Sequence, residues 1–188
     1  MRLRNVLDQQ LNRFLRRYPR LKWVLMLVLV VLSAIFGRPQ DDRPQGPLAP
    51  GESGELSGYV KVIDGDSVRL GRDEIRLVGI DAPEGRQTCE RGGETWDCGE
   101  EARRQLERLI GGQKVICRTV ERDKHGRYLG TCEAGGKNLN AAMVETGFAV
   151  SYGSYRSQER AAKGAKRGLW SGTFQKPRDW RHERGIGL

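Results

Sequence analysis

Val60-Lys61-Val62-Ile63-Asp64-Gly65-Asp66-Ser67-Val68-Arg69-Leu70, carried on by Ile75-Arg76-Leu77-Val78-Gly79-Ile80-Asp81-Ala82-Pro83-Glu84, is the stretch whose reading decides the fold. Val60 and Val62, Val68 and Leu70, then Ile75 and Leu77 alternate with polar or charged residues. That period of two predicts half-buried strands. Asp64-Gly65 predicts one turn and Gly71-Arg72-Asp73-Glu74 a second, so the stretch reads as a three-stranded meander. Pro83 stops the third strand from pairing further. Asp64 and Asp66, two apart in extended chain, share a face, and Asp81 and Glu84 follow the third strand. Crowded carboxylates raise one another's pKa unless a cation intervenes. Spacing alone leaves two readings open: a hard-metal site with Arg76 beside it, or turn aspartates on a solvated edge.

The 188 residues suit one domain plus an appendage, and the appendage precedes the meander. Residues 1–22 hold Arg2, Arg4, Arg13, Arg16, Arg17, Arg20 and Lys22 against Asp8 alone. This segment therefore carries most of the formal charge of +9, which weakens charge as a sign of nucleic-acid binding. Leu3, Val6, Leu7, Leu11, Phe14, Leu15 and Tyr18 recur at helical spacing between the arginines, as in a basic amphipathic helix on an anionic membrane. Trp23 to Gly37 then runs without a charge. At about 1.5 Å per residue it is short for a hydrocarbon core of roughly 30 Å, though Leu21 and a snorkelling Lys22 lengthen it. A cleavable signal peptide competes with a transmembrane signal anchor. The long basic region and the absence of a clean small-x-small site favour the anchor. The positive-inside rule then keeps residues 1–22 cytoplasmic and puts the rest outside, or releases it if residues 1–37 are cleaved. Residues 38–55, with four prolines and no periodicity, read as a disordered linker.

Past Glu84 comes an irregular segment, Gly85 to Gly99. Glu100–Ile110 predicts a helix with Ala102, Leu106, Leu109 and Ile110 as its apolar stripe and Gly111-Gly112 as its stop. Arg103, Arg104 and Arg108 read as its solvated face, because Glu100, Glu101 and Glu107 accompany them. Lys114–Glu121 and Arg127–Glu133 predict a hairpin centred between Lys124 and His125, which opposes Cys117 to Cys132 and Glu121 to Tyr128. Asn140–Thr146, with Ala141 and Val144 inward, and Ser157–Arg167 predict two more helices. Five strands with three helices suit an α+β fold built on an OB-type barrel over residues 56–172, leaving 173–188 as a tail. In an exported domain four cysteines suggest two disulfides. Cys89–Cys98 with Cys117–Cys132 is the pairing that agrees with the strands. A four-cysteine zinc site is the rival, weakened by the lack of any C-x-x-C pair.

Asp64-Gly65-Asp66-Ser67, followed by Ile75-Arg76-Leu77-x-Gly79-Ile80-Asp81-Ala82-Pro83-Glu84, resembles the signature of the staphylococcal nuclease (thermonuclease) family. Asp123-Lys124-His125-Gly126-Arg127 resembles that family's second arginine motif, and the likeness runs from about residue 57 to 170. The resemblance implies an OB-type barrel that hydrolyses phosphodiester bonds of DNA, with RNA as a second substrate, at low sequence specificity. It implies that Asp66 and Asp81 ligate calcium (magnesium ranking second), that Ala82 adds its carbonyl, and that Asp64 is an outer-shell acid. Hard carboxylate oxygens are the ligands such ions take. Glu84 matches the water-positioning acid, and Arg76 and Arg127 match the two phosphate-holding arginines. Tyr152 and Tyr155 lie near the family's substrate-contacting tyrosines; buried or cross-strand aromatics are the other reading.

Three positions depart from the pattern: Ser67 and Ala82 each stand for threonine, and His125 for tyrosine. None removes a charged catalytic group. The partners expected are a nucleic-acid substrate and, through the N-terminal segment, a membrane, with the protein acting as a monomer. Two rivals come from other classes: an OB domain that binds without cutting, and an envelope protein tethered by its N-terminus. The first has no need of Asp66, Asp81, Glu84, Arg76 and Arg127 together, and the second does not explain the acids.

Overall fold

The computed structural model describes residues 54–186. Residues 1–37, read as an amphipathic segment and a transmembrane anchor, lie outside the described residues, as does most of the linker. Among the described residues no helix is long and apolar enough to cross a membrane.

The predicted meander is present. β1 (Gly54–Gly58) and β2 (Lys61–Asp64) are followed by β3 (Ser67–Leu70) and β4 (Asp73–Leu77). β2 pairs with β3, and β3 with β4, both antiparallel. Gly54 and Glu55, taken from sequence for the end of the linker, already belong to β1. β5 (Ile80–Asp81) is separate from β4, because Gly79 turns the chain with φ 80°. The segment after Glu84 is not irregular throughout: β6 (Cys89–Arg91) and β7 (Glu94–Trp96) form a small hairpin. Helix α1 (Cys98–Ile110) buries Ala102, Leu106 and Ile110 along one stripe. It stops at Gly111, whose left-handed φ of 58° lets its N–H bond Glu107 O.

β8 (Val115–Arg122) and β9 (Tyr128–Ala134) form the second hairpin, and β10 (Lys137–Asn138) pairs back on β9. Cys117 opposes Cys132 as expected, but Glu121 opposes Leu129 rather than Tyr128. Val120 is the extra residue of a bulge between Thr119 and Glu121, and its side chain is exposed. Helix α2 (Leu139–Glu145) is capped by Asn138, whose side chain accepts from Ala141 N. It buries Ala142, Met143 and Val144, so Ala142 and not Ala141 faces inward beside Val144. β11 (Val150–Ser151), α3 (Arg156–Gly164), a 3₁₀ turn (Gly168–Ser171) and α4 (Pro177–Glu183) complete the described residues. Among the described residues there are thus four α-helices, not three, and the segment from residue 173 on, read as a tail, carries the last of them.

The main sheet runs β1-β8-β9-β4-β3-β2, with β9 parallel to β4. Its two ends, β1 and β2, are consecutive in the chain, parted only by Tyr59 and Val60. The sheet therefore curls toward itself, an OB-like α+β arrangement. One apolar core fills the curl, with Val68, Ile75, Leu77, Leu106, Tyr128, Leu139 and Met143 fully buried. A smaller cluster of Cys89, Cys98, Val150 and Leu169 lies apart from it. Disulfides join Cys89 to Cys98 and Cys117 to Cys132, so no cysteine is left for zinc.

Candidate active site

Three structural events bring the acids and arginines together. The β2–β3 turn presents Asp64 and Asp66, the end of β4 and β5 present Arg76 and Asp81, and the parallel β4–β9 pairing carries Arg127 alongside. Asp64 and Asp66 do not share a face of one extended strand. Asp64 ends β2, Asp66 sits in the turn, and Asp64 opposes Ser67. Their link is instead a hydrogen bond from Asp66 N to Asp64 Oδ1 at 3.0 Å. Gly65 allows this turn to lie flat on α1: a Cβ there would meet Ala82 Cβ at 2.7 Å and Ala102 Cβ at 2.8 Å.

Asp66 is 2% exposed and Asp81 4%, so both charges need partners. Arg76 Nη2 donates to Asp66 Oδ2 at 2.9 Å and to Asp81 Oδ1 at 3.0 Å. Ser67 Oγ donates to Asp66 Oδ1 at 3.1 Å, so serine keeps a contact through the hydroxyl it shares with threonine. Ala82 N donates to Asp66 Oδ2 at 3.1 Å, which puts a backbone group rather than a side chain of residue 82 to use. Register of β4 with β9 sets Ile75 opposite Tyr128, bringing the neighbouring Arg127 level with Glu74. Arg127 Nε and Nη2 reach Asp123 Oδ2 at 2.8 and 2.7 Å, while Nη1 stands 4.0 Å from Glu74. Burial works against the charge on Asp123, but the bonds from Arg127 outweigh it and hold its carboxyl below the usual range.

A cleft of about 1420 Å³ opens over these groups. That exceeds the ~300–1,000 Å³ of small-molecule pockets and suits a polymer. Asp64, Arg76, Asp81, Glu84, Arg127, His125 and Tyr152 line it. Asp66 and Ala82 are buried behind the lining. Tyr152 is 59% exposed, held by its N–H to Gly79 O at 2.9 Å. Tyr155 instead packs against the core, in a left-handed conformation with φ 64°, so the two tyrosines separate into cleft and core.

One residue in the site has no counterpart in the sequence reading. Arg181, from the last turn of α4, donates from Nη1 to Asp81 Oδ1 at 2.9 Å and to Glu84 Oε1 at 2.7 Å. No motif pointed to it, because it lies about a hundred residues beyond the acids in a segment read as tail. The signal available was the amphipathic Pro177-Arg178-Asp179-Trp180-Arg181, with Pro177 and Trp180 buried.

Burial and the neighbouring Asp66 push Asp64 up to about 7. Burial likewise raises Asp81, though Arg181 and Arg76 counter it. The site thus holds two carboxyls raised by burial, Asp64 and Asp81, of which Asp81 faces Arg76 and Arg181. Its donors are hard oxygens, the chemistry that calcium and magnesium take. The donor set therefore fits a hard divalent cation. Among the described residues, no three His, Cys, Asp or Glu converge as a ready ligand set, and Asp81 Oδ1 is occupied by the two arginines.

Residues 74–172 match the family described as staphylococcal nuclease homologue. An uncharacterized endonuclease of Escherichia coli O157:H7 is 34% identical over 137 residues, covering 66% of this chain and 84% of that protein. Succinoglycan biosynthesis protein ExoI of Rhizobium meliloti is 34% identical over 129 residues, 64% of this chain and 67% of its own. Probable staphylococcal-like nuclease CAN3 of Oryza sativa is 35% identical over 135 residues, 68% of this chain but only 33% of that longer protein.

Proposed function

Because this chain belongs to the staphylococcal nuclease family and is a phosphodiester hydrolase, we propose that it is a calcium-dependent nuclease acting outside the cytoplasmic membrane. Its substrate is DNA, with RNA second, cut with little sequence preference. The observation that carries this is Arg76, which joins the two buried acids Asp66 and Asp81 at the floor of a cleft that Glu84 and Arg127 also line.

The family is generally calcium-dependent. Asp66, Asp81 and the Ala82 carbonyl would hold the ion, which supplies charge neutralisation and a lowered pKa for coordinated water. The chain's own groups do the rest. Glu84 orients a water and takes its proton as general base. Arg76 and Arg127 offer planar forks to phosphate oxygens where charge develops. Tyr152 provides an exposed ring on which a base stacks. Two disulfides suit an oxidising compartment, which supports a place beyond the membrane.

Full-length protein incubated with labelled single-stranded DNA tests the reading. Calcium should support cleavage, chelator should stop it, and magnesium should serve poorly. Binding of DNA or RNA without cleavage, in calcium or magnesium, would favour the non-catalytic alternative.

A further inference from the structure

We propose that Arg181 is a positioning residue of this nuclease site: it sets the Glu84 carboxylate and competes with the cation for Asp81. The inference rests on the nuclease reading above and extends it past residue 172, where the family match ends. Arg181 spans the two carboxylates with a single nitrogen, Nη1, at 2.9 Å from Asp81 and 2.7 Å from Glu84. Its side chain is 22% exposed and Asp81's 5%, so the pair is shielded and the charges interact strongly. Burial opposes the charge on Arg181, yet the bonds to Asp81 and Glu84 more than offset this.

The helix that delivers Arg181 is anchored to the loop that delivers Glu84. Gln87, fully buried, donates from Nε2 to Gln175 O at 2.7 Å and accepts from Glu84 N at 3.3 Å. Glu90 and Thr173 exchange backbone bonds at 3.0 and 2.9 Å. Cys89–Cys98 closes the same segment. Glu84 and α4 are therefore fixed to one another through residues 87–90, and Arg181 completes the link at the site itself. Arg181 occupies Asp81 Oδ1, an oxygen that a bound cation would take. With that contact given up, Arg181 would still hold Glu84 and orient its carboxylate toward the cleft.

The test uses the full-length protein and calcium alone before any substrate. Arg181→Gln should tighten calcium binding by about fivefold or more, because a competing positive charge leaves Asp81. With calcium and DNA saturating, turnover should fall by roughly 10- to 100-fold at nearly unchanged KM, since the general base loses its orientation. Arg181→Lys should restore most of the turnover, because one nitrogen makes both contacts. A merely structural arginine would weaken calcium binding along with stability, so unchanged or weaker calcium binding in a folded Arg181→Gln protein overturns the proposal. Should Arg181→Gln not fold, hydrogen exchange of the wild-type chain decides. Calcium should speed exchange in residues 177–183, and no change there sinks the idea. Wild-type protein that cuts no nucleic acid would instead refute the nuclease reading, a separate outcome.

Discussion

Ala82 N donates to Asp66 Oδ2 at 3.1 Å, so the acid in the first hairpin turn fastens the backbone where the third strand ends. Asp66 thereby differs from Asp81, which accepts from the side chains of two arginines, each with another acid to hold. Asp66→Ala should abolish calcium binding and cleavage and also destabilise the calcium-free protein by about 3 kcal/mol, because it strands Ala82 N and weakens Arg76. Asp81→Ala should abolish binding and cleavage at a cost nearer 1 kcal/mol, since neither arginine is left without a carboxylate. Thermal denaturation in chelator and calorimetric calcium titration separate the two. Calcium binding unchanged in both variants would remove the proposed site.

Asp64 gives a pH dependence with a definite sign. Its carboxyl titrates at about 7 in the folded protein against an ordinary 3.8, raised by burial and by Asp66. Between those values the folded state keeps a proton that the unfolded chain has released. This contribution is therefore fully present below pH 3.8 and is lost as pH rises toward 7, at about 1.4 kcal/mol per pH unit. Urea denaturation of the calcium-free protein from pH 4 to 8 should show wild type losing stability relative to Asp64→Asn, with the difference levelling off above about pH 7. Parallel curves for the two proteins would contradict the assignment.

The disulfides yield a third expectation. Cys117–Cys132 staples a hairpin already held by its ladder, whereas Cys89–Cys98 closes the segment that docks residues 173 and 175. Replacing either pair by alanines should cost roughly 2–4 kcal/mol. Loss of Cys89–Cys98 should in addition lower turnover by about tenfold, because Glu84 and α4 lose their shared support. Peptide mapping of unreduced protein should find both bridges. Equal turnover in the two double variants would show that the Cys89–Cys98 loop does not support the site.

The meander, α1 and the second hairpin were legible because their signals are local: alternation of Val68 and Leu70, the stripe of Ala102 and Leu106, and Gly111 after the last turn. Cys117 and Cys132 fixed the hairpin's register where the bridge lies, but nothing in Thr119-Val120-Glu121 announces the bulge. A bulge depends on how a strand must curl against its neighbours, not on its own residues. Arg76, Asp81 and Glu84 were legible because a motif carries them. Arg181 was not, because its partners lie far back in the chain and α4 is short, with only Pro177 and Trp180 buried. The division between Tyr152 and Tyr155 likewise needed the backbone, since the left-handed turn at Tyr155 sends the second ring inward.

Glu84, Arg76 and Arg127 hold different positions and should fail in different ways. Glu84 lines the cleft and receives Arg181, so Glu84→Gln keeps the size and loses the base. Turnover should fall by about 10²–10⁴ with KM nearly kept. Arg76 is committed to Asp66 and Asp81 before any substrate arrives. Arg76→Lys keeps charge but loses the planar fork, so calcium affinity and KM should change together. Arg127 is braced by Asp123 through Nε and Nη2, leaving Nη1 toward the cleft beside Glu74. A guanidinium held this way is oriented in advance for charge that develops later, so Arg127→Lys should lower turnover by about 10²-fold and leave calcium binding alone. Asp123→Asn should reproduce part of that loss, because the brace on Arg127 weakens while its charge remains. Single-turnover kinetics at saturating calcium separates these effects. Wild-type rates in Glu84→Gln would sink the base assignment, and wild-type rates in both arginine variants would leave this cleft without its phosphate-binding groups.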